Sequence, residues 1–385
     1  MNNVFIKNNK KVLVAMSGGV DSSVAAALLK QQGYDLIGIT MVLSCATKSS
    51  DRGCCSVDAS SDAKKVADLL GIPHYILNFK HEFEKLVINN FVEEYKNGRT
   101  PNPCVRCNQF IKFDLLLKKA KELGADFIAT GHYARIMTND KLQITNECIP
   151  AGYYKLLKGK DPKKDQSYVL YTMTQESLAR TLFPLGELTK EKVRKIAGEL
   201  KLPVAKKKES QEICFVEDDD YGRFLKDKIS ETAKPGPIID KTGREIGRHE
   251  GIIHYTIGQR KGIGAHAAKK YVTGIDLEKN AIIIGEDSDL LEKELVATKL
   301  NFISGIFPKK HIDLSAKVRY NGPDAPAELI PLNGKRIKVR FQKPQRAVTP
   351  GQSVVFYKGE EVIGGGIIEA RPRRARRKLK WKKKG

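Results

Sequence analysis

The chain has 385 residues, enough for two or three domains with substantial cores. Its formal charge of +23 indicates a polyanionic partner, and because ten of the cations lie in residues 371–384, the remaining chain still carries +13. Seven scattered cysteines, with no signal-peptide or transit-peptide pattern at the N-terminus, argue against a secreted disulfide scaffold. No apolar run is long enough to span a membrane, so we expect a cytoplasmic protein with reduced thiols.

Residues 12–23, Val-Leu-Val-Ala-Met-Ser-Gly-Gly-Val-Asp-Ser-Ser, predict a buried strand at 12–15 that turns through two glycines into a helix over 22–32. Glycines allow close backbone approach, and the free N–H groups of a helix start bind anions. The sequence therefore predicts a phosphate site here, with an ordinary glycine-rich turn as the alternative.

The residues of this loop narrow the kind of phosphate site. A Walker A loop requires a lysine, and a Rossmann fingerprint requires three spaced glycines; both are absent. The pattern resembles the pyrophosphate loop of enzymes that split ATP into AMP and pyrophosphate. Hydroxyls and a carboxylate clustered at the helix start favour that reading over a plain turn: Ser17, Asp21, Ser22 and Ser23.

Strands and helices alternate through the first half of the chain. Strands are predicted at 35–42, 74–79 and 126–130, and helices at 58–70, 82–95 and 110–123. Alternation of this kind predicts an α/β fold with a doubly wound parallel sheet, whose ligands bind at the carboxyl ends of the strands. The phosphate loop, Met41 and Gly131-His132 all fall at that edge, although Met41 could equally fill the core.

Residues 96–108 read as a surface loop between two helices, because prolines and asparagines interrupt the pattern. The loop contains Cys104 and Cys107, whose Cys-x-x-Cys spacing suits half a zinc site, a redox pair, or thiols for sulfur chemistry or a cluster. No second pair at similar spacing completes a zinc site. Further on, Cys214 follows a lysine cluster that favours a thiolate, with a buried structural cysteine as the alternative.

The next segments mix helices with basic surface. Residues 155–171 interleave lysines with Asp165, Gln166 and Tyr168, which fits either an RNA-contacting surface or a solvated face. Helices are predicted at 175–182 and 190–200, the second capped by Thr189.

The second half of the chain predicts β structure. After a short helix within 218–232, turns at 241–244 and 278–280 indicate two hairpins, and strands over 295–370 indicate a small antiparallel barrel with one basic face. We therefore predict a nucleotide-binding domain at 1–210, a small β-rich module at 211–284, a β-barrel at 285–370 and a disordered basic tail at 371–385.

Eight motifs in order make the chain resemble the tRNA-specific 2-thiouridylase (MnmA) family. They are Ala15-Met-Ser-Gly-Gly-Val-Asp-Ser22, Gly98-Arg-Thr-Pro-Asn-Pro103 with Cys107-Asn108, Ala129-Thr-Gly-His-Tyr133, Lys164-Asp-Gln-Ser-Tyr168, Ala205-Lys-Lys-Lys208, Ile213-Cys-Phe215, Gly258-Gln-Arg-Lys-Gly262 and Thr349-Pro-Gly-Gln-Ser353. Each motif alone is weak, but eight in sequence over residues 12–369 are specific.

The resemblance implies an ATP-dependent sulfur transfer to the wobble uridine of tRNA. ATP, with Mg²⁺, would adenylate the C2 oxygen, and a persulfide on Cys214 would deliver sulfur to C2. Cys107 would be the second catalytic thiol, acting as nucleophile or forming a disulfide with Cys214. Residues 96–108 and 205–214 would then approach the ATP pocket on tRNA binding.

The resemblance also assigns binding residues and partners. The implied ATP-binding residues are Ala15, Met16, Ser17, Gly18, Gly19, Val20, Asp21, Ser22, Met41 and Gly131. The implied contacts with tRNA or its target base are Asn102, Pro103, Cys104, His132, Lys164, Asp165, Gln166, Arg319, Tyr320 and Gln352. The implied partners are wobble-uridine tRNAs such as those for Lys, Glu and Gln, and a sulfur carrier or cysteine desulfurase.

One position departs from the familiar family pattern. Where that pattern has aspartate, this chain has Cys104, so the role of a base or hydrogen-bond acceptor is in doubt there. Convergence of Cys104, Cys107 and Cys214 would allow a [4Fe–4S] cluster with one open iron as an alternative sulfur activator. The remaining cysteines, Cys45, Cys54, Cys55 and Cys148, are interpreted as non-catalytic. Another adenylating ligase or amidotransferase, and an RNA-binding protein with a vestigial nucleotide site, remain alternative functions.

Overall fold

A computed structural model describes residues 10–43, 57–138, 153–208, 213–216, 220–226, 228–229, 234–264 and 268–370. The predicted basic tail and the four cysteines interpreted as non-catalytic lie outside these residues. The strands, in chain order, are β1 Lys11–Ala15, β2 Asp35–Val42, β3 His74–Asn78, β4 Phe127–Ala129, β5 Ala134–Thr138, β6 Tyr154–Lys158, β7 Thr181–Leu182, β8 Gly236–Ile239, β9 Glu245–His249, β10 Tyr271–Asp276, β11 Ala281–Gly285, β12 Leu291–Phe302, β13 Ile312–Lys317, β14 Ala325–Leu332, β15 Arg336–Arg346, β16 Ser353–Lys358 and β17 Glu361–Ala370.

The first sheet is parallel and has the order β3-β2-β1-β4-β7. Its central strand, β1, is apolar and buried along almost its whole length because helices cover both faces. Helix α1 (Val20–Gln31) follows β1 and helix α2 (Val57–Leu70) follows β2. The predicted doubly wound α/β domain is confirmed.

Two longer helices complete this domain, and each contains a π-helical stretch. The helix at 80–96 comprises Lys80–Phe83, π-helical Glu84–Ile88 and Asn89–Lys96. The helix at 103–122, called the cysteine helix below, comprises Pro103–Arg106, π-helical Cys107–Leu115 and Leu116–Glu122. The shorter helices are Gln175–Ala179, Lys190–Glu199 and Tyr221–Lys226, with 3₁₀ turns at Ser167–Leu170, Ile252–His254 and Asp287–Leu290. Among the helices described, none combines the length and apolarity needed to cross a membrane.

The predicted loop at 96–108 is wrong from Pro103 onward, because the cysteine helix starts there. The side chain of Asn102 caps the helix by accepting a hydrogen bond from the N–H of Val105 at 3.2 Å. Proline at the first helical position costs no hydrogen bond, so the Asn-Pro pair starts a helix here instead of prolonging a loop. Cys104 and Cys107 consequently lie one turn apart on a helix.

A second correction concerns the helix predicted at 175–182. The helix ends at Ala179, and Thr181–Leu182 pair in parallel with β4 as the edge strand of the sheet. The other predicted helix of this region is confirmed: it runs over Lys190–Glu199, and the Thr189 side chain accepts a hydrogen bond from the N–H of Lys192.

The central module is a four-stranded sheet of order β10-β11-β8-β9. Both predicted hairpins are present, β8–β9 around residues 240–244 and β10–β11 around 277–280. Its apolar side chains form a small separate core around Ile238, Tyr255 and Ile282.

The C-terminal strands close into an antiparallel barrel of order β12-β15-β14-β13-β16-β17, with β17 pairing back onto β12. Val318, Val339 and Phe341 point into its core, while Arg319 and Arg340 are exposed, as the alternation predicts. The β5–β6 hairpin from the first half of the chain also pairs with β17, which ties the nucleotide-binding domain to the barrel. The exact domain limits at 210/211 and 284/285 remain predictions.

Candidate nucleotide and thiol site

The phosphate loop joins β1 to α1 through residues 16–19, and its own hydroxyls shape it. The N–H of Ser17 donates to Ser22 Oγ at 3.1 Å, and the hydroxyls of Ser22 and Ser23 donate to the Gly19 carbonyl at 3.2 and 2.8 Å. Helix α1 starts at Val20, two residues earlier than predicted, and Gly19 caps it without a side chain. The first backbone N–H groups of this helix are of the kind that bind anions at helix starts.

Two glycines are required by the packing of this loop. Gly18 has φ +66°, and a Cβ there would lie 2.1 Å from the carbonyl oxygen of Ala59 in α2. A Cβ on Gly131 would lie 2.8 Å from both the carbonyl carbon of Asp21 and the nitrogen of Ser22. Any side chain at either position would displace the loop or the start of α1.

The other predicted ATP residues differ in burial: some support the loop from the core, and others are open to solvent. Ala15, Met16 and Val20 are buried, and the N–H of Met16 donates to the Ile39 carbonyl at 2.7 Å, so these residues support the loop from behind. Met41 is half-buried at the end of β2 and packs against apolar clusters of the domain. Ser17 is exposed, which makes its side chain available to a ligand.

Asp21 lies at the start of α1 and binds two side chains from distant segments. Tyr133 donates its hydroxyl to Asp21 Oδ1 at 2.8 Å. The ammonium group of Lys190 lies 2.7 Å from Oδ1 and 2.8 Å from Oδ2. Lys190 was not among the predicted site residues; its only signal in the sequence is a lysine in the first turn of a predicted helix, where positive charge is unfavourable.

His132, predicted to contact tRNA, is buried in the structure. Its ring packs beside Phe113 and Phe183, and its Nδ1 lies 2.7 Å from the hydroxyl of Thr130. Burial, with a smaller effect from the nearby charge of Lys112, holds the pKa of His132 well below its usual range. The histidine is therefore neutral and supports the carboxyl end of β4 from inside.

Asp165 and Gln166 stabilise their own segment. Asp165 accepts hydrogen bonds from the N–H groups of Gly159 and Ser167, both at 3.0 Å. Gln166 accepts from the N–H of Tyr133 at 2.9 Å. Asp165 thus holds the segment 159–168 together, while Gln166 links it to Tyr133 beside the phosphate loop. Lys164 is half-buried next to them.

Gln352, at the start of the barrel's last hairpin, contacts the segment that precedes the cysteine helix. Its amide donates to the carbonyl oxygens of Thr100 and Pro101, both at 3.0 Å. The N–H of Thr100 donates in turn to the Pro350 carbonyl at 2.9 Å. The central module reaches the same segment through Thr256, whose hydroxyl lies 3.3 Å from that of Thr100. All three parts of the chain therefore meet at residues 98–101.

The two predicted catalytic thiols belong to one apolar cluster. Cys107 is buried and Cys214 half-buried, and both pack in the cluster that includes Phe215 and Phe91. The ring of Phe215 lies 5.3 Å from that of Phe91 and 5.7 Å from that of Phe83, both edge to face. The residue next to Cys214 is therefore anchored on the 80–96 helix, beside the cysteine helix.

Cys104 faces a different environment from Cys107. It is exposed and lies near Tyr320. Burial raises the pKa of Tyr320 to about 12, with smaller contributions from Asp165 and then Cys104. The ammonium group of Lys317 lies 5.9 Å from the ring centres of both Tyr168 and Tyr320. Tyr320 thus lies on the same side as Cys104, and both Tyr320 and its neighbour Arg319 are exposed.

Cys104, Cys107 and Cys214 are not grouped as a metal-binding set in the part of the chain that the structure describes. Within the described ranges, no group of three His, Cys, Asp or Glu side chains is placed to hold a metal ion. Cys104 is exposed while Cys107, one turn along the same helix, is buried. This arrangement lacks the three converging thiolates that a cluster with an open iron requires.

Comparison with known proteins covers nearly the whole chain. Three family models match in order: the tRNA methyl transferase HUP domain over 10–218, the tRNA methyl transferase PRC-barrel domain over 222–286 and the aminomethyltransferase beta-barrel domain over 292–368. A Clostridium acetobutylicum protein is 50% identical over 365 residues, covering 94% of this chain and 100% of its own length. A Carboxydothermus hydrogenoformans protein is 51% identical over 367 residues, covering 94% of this chain and 98% of its own length. Both carry the name tRNA-specific 2-thiouridylase MnmA.

Proposed function

Because the chain belongs to the tRNA-specific 2-thiouridylase MnmA family, we propose that it is a tRNA-uridine 2-sulfurtransferase. It adenylates the C2 oxygen of the wobble uridine with ATP and then replaces that oxygen by sulfur. The observation that carries the proposal is that Cys107 and Cys214, far apart in the chain, both pack in one apolar cluster.

The first step uses the phosphate loop. The C2 oxygen of uridine attacks the α-phosphate of ATP, a C2–O–P bond forms, and pyrophosphate leaves. The N–H groups at the start of α1 and the hydroxyl of Ser17 hold the departing phosphates. Met41 and Gly131 bind the adenosine, and Mg²⁺ enters with ATP as its counter-ion. Adenylation turns a poor leaving group, oxide, into AMP.

The second step uses the thiol pair. The terminal sulfur of a persulfide on Cys214 attacks C2, a C–S bond forms, and AMP leaves with the former C2 oxygen. The Cys107 thiolate then attacks the Sγ of Cys214, which breaks the S–S bond to the transferred sulfur and leaves 2-thiouridine with a Cys107–Cys214 disulfide. A thiol reductant restores both thiols.

The basic surface and the thiols support two kinds of partner, a tRNA and a sulfur donor. The tRNA, of the kind that reads Lys, Glu or Gln codons, contacts Arg319, Tyr320 and the cationic face of the barrel. A sulfur carrier or cysteine desulfurase supplies the sulfur of the Cys214 persulfide. Asn102 and Pro103 begin the cysteine helix beside Cys104 and line the site of the target base.

The experiment is nucleoside mass spectrometry of tRNA incubated with the purified protein, ATP and a persulfide donor. Wild-type protein should form 2-thiouridine, while Cys107→Ser and Cys214→Ser should release pyrophosphate without forming it. Formation of 2-thiouridine by Cys214→Ser at the wild-type rate would contradict the proposal.

A matched variant distinguishes thiol chemistry from a [4Fe–4S] cluster. Cys104→Asp restores the carboxylate of the familiar family pattern and removes a cluster thiolate. Thiol chemistry predicts an iron-free protein whose Cys104→Asp variant still forms 2-thiouridine under anaerobic conditions. Activity that requires bound iron, and is lost with Cys104, would establish the cluster version instead.

A further inference from the structure

Lys190 places a buried ammonium group at a phosphate loop that has no lysine of its own. The side chain is only 9% exposed, and its Nζ lies within 2.8 Å of both carboxylate oxygens of Asp21. The same nitrogen lies 5.9 Å from the ring centre of Tyr133, whose hydroxyl also binds Asp21. Three side chains from three separate segments thus converge at the start of α1.

The helix of Lys190 does not by itself account for a lysine at this position. Lys190 is the first residue of the helix Lys190–Glu199, where the positive end of the macrodipole disfavours a cation. Its backbone N–H is already bound by Asp161 Oδ2 at 2.9 Å, and Thr189 caps the helix. Burial of an ammonium group also carries a desolvation cost. The position of Lys190 is therefore explained by the ion pair that its side chain forms with Asp21 at the phosphate loop.

The positive charge of Lys190 offsets the repulsion between the Asp21 carboxylate and a bound phosphate. A site built to hold pyrophosphate contains the carboxylate of Asp21, which would repel the incoming phosphates. Bidentate pairing with Lys190 neutralises that carboxylate. A flexible ammonium group with three donors can keep one bond to the carboxylate while donating another to a phosphate oxygen.

We propose that Lys190 is a phosphate-binding residue that holds the pyrophosphate part of ATP, with Asp21 and Tyr133 keeping its ammonium group in place until the nucleotide arrives. The proposal rests on the proposed function, since it assigns a further residue to the same ATP site. It supplies from a distant helix the cation that a Walker A loop carries within itself.

The test uses inorganic pyrophosphate and AMP as separate inhibitors that compete with ATP, measured by tRNA-dependent pyrophosphate or AMP release. Lys190→Met should weaken inhibition by pyrophosphate and raise the KM for ATP by about tenfold or more, the loss typical of one charge-assisted hydrogen bond. Inhibition by AMP should stay within about twofold of wild type, because AMP lacks the β- and γ-phosphates. Lys190→Arg should restore most of the affinity for pyrophosphate.

Lys192→Met is the matched control, because Lys192 is an exposed lysine of the same helix. It should leave both inhibition constants unchanged. A Lys190→Met protein that loses affinity for pyrophosphate and AMP equally, or for neither, would overturn the assignment of Lys190 while leaving the proposed function intact. A wild-type protein that forms no 2-thiouridine and releases no pyrophosphate with any tRNA would instead overturn the proposed function.

Discussion

Gln352 of the barrel donates its side-chain amide to the carbonyl oxygen of Thr100 at 3.0 Å, two residues before the cap of the cysteine helix. A residue that the family resemblance assigns to tRNA contact therefore already holds the segment leading to Cys104 and Cys107. This hydrogen bond links the barrel to the segment that leads to the two thiols. If tRNA contacts the barrel as proposed, its binding can act on the cysteine helix through this bond.

Replacing Gln352 by alanine should slow thiolation even when tRNA is saturating. The change removes two hydrogen bonds worth about 1 kcal/mol each, which corresponds to roughly a thirtyfold loss if the segment must be held for catalysis. Single-turnover formation of 2-thiouridine measures the effect. Gln342→Ala, an exposed glutamine of the same barrel, is the control. If saturating tRNA restores the full rate to Gln352→Ala, the side chain serves tRNA affinity alone.

Gly18→Ala should abolish ATP use. The new Cβ would approach the Ala59 carbonyl oxygen to 2.1 Å, and the residue would be forced to keep φ +66°, so the phosphate loop must move. Equilibrium binding of ATP should fall below detection while the fold, followed by circular dichroism, persists. Gly198→Ala is the control, because a Cβ there meets nothing within 4 Å. Normal ATP affinity in Gly18→Ala would mean that this loop does not hold the phosphates.

Phe215→Leu should impair sulfur transfer more than ATP use. The smaller side chain loses the edge-to-face contacts with Phe83 and Phe91 that anchor the residue beside Cys214. We expect 2-thiouridine formation to fall about tenfold, with tRNA-dependent pyrophosphate release nearly unchanged. Phe307→Leu, whose ring packs against Phe302 in the barrel, should change neither rate. Parallel loss of both rates in Phe215→Leu would show a general effect on folding.

His132 should make stability fall with pH below about 6.5. Burial holds its pKa well below the usual 6.5 in the folded protein, whereas the unfolded chain takes up the proton near 6.5. Between these pKa values the unfolded state binds more protons, so the free energy of unfolding decreases by at most about 1.4 kcal/mol per pH unit as pH falls. Burial lowers the pKa of His74 as well, with the same sign.

Urea unfolding at pH 7.5 and 5.5 checks this prediction. His132→Asn, which can still face the Thr130 hydroxyl, should reduce the difference between the two pH values without removing the part that His74 contributes. His311→Asn, at an exposed histidine, should leave the difference as in wild type. An unchanged pH difference in His132→Asn would show that this histidine does not carry the effect.

Local patterns predicted much of this fold correctly. Strand β2 occupies residues 35–42 as predicted, Thr189 caps its helix, and the hairpin turn falls at 278–280, because each depends on signals within a few residues. The start of the cysteine helix was missed because Asn and Pro signal both loops and helix starts. The two uses differ only in whether the Asn102 side chain caps the following N–H groups.

Contacts between segments far apart in the chain could not be predicted from local sequence patterns. No sequence pattern in residues 134–158 indicates that their hairpin joins a barrel strand near residue 361. No pattern near Lys190 indicates that Asp21 is its partner. The phosphate loop and thiols were identified from motifs, yet the contacts that position them come from residues distant in the chain. The role of Gln352 as a link to Thr100 likewise required the structure.

The central claim, that ATP activates the C2 oxygen of a tRNA uridine, is tested most directly by following that oxygen. A tRNA whose wobble uridine carries ¹⁸O at C2 is incubated with the protein, ATP and a persulfide donor, and AMP is analysed by mass spectrometry. The account predicts one labelled oxygen in AMP for each 2-thiouridine formed. AMP that takes its oxygen from water while 2-thiouridine accumulates would contradict it.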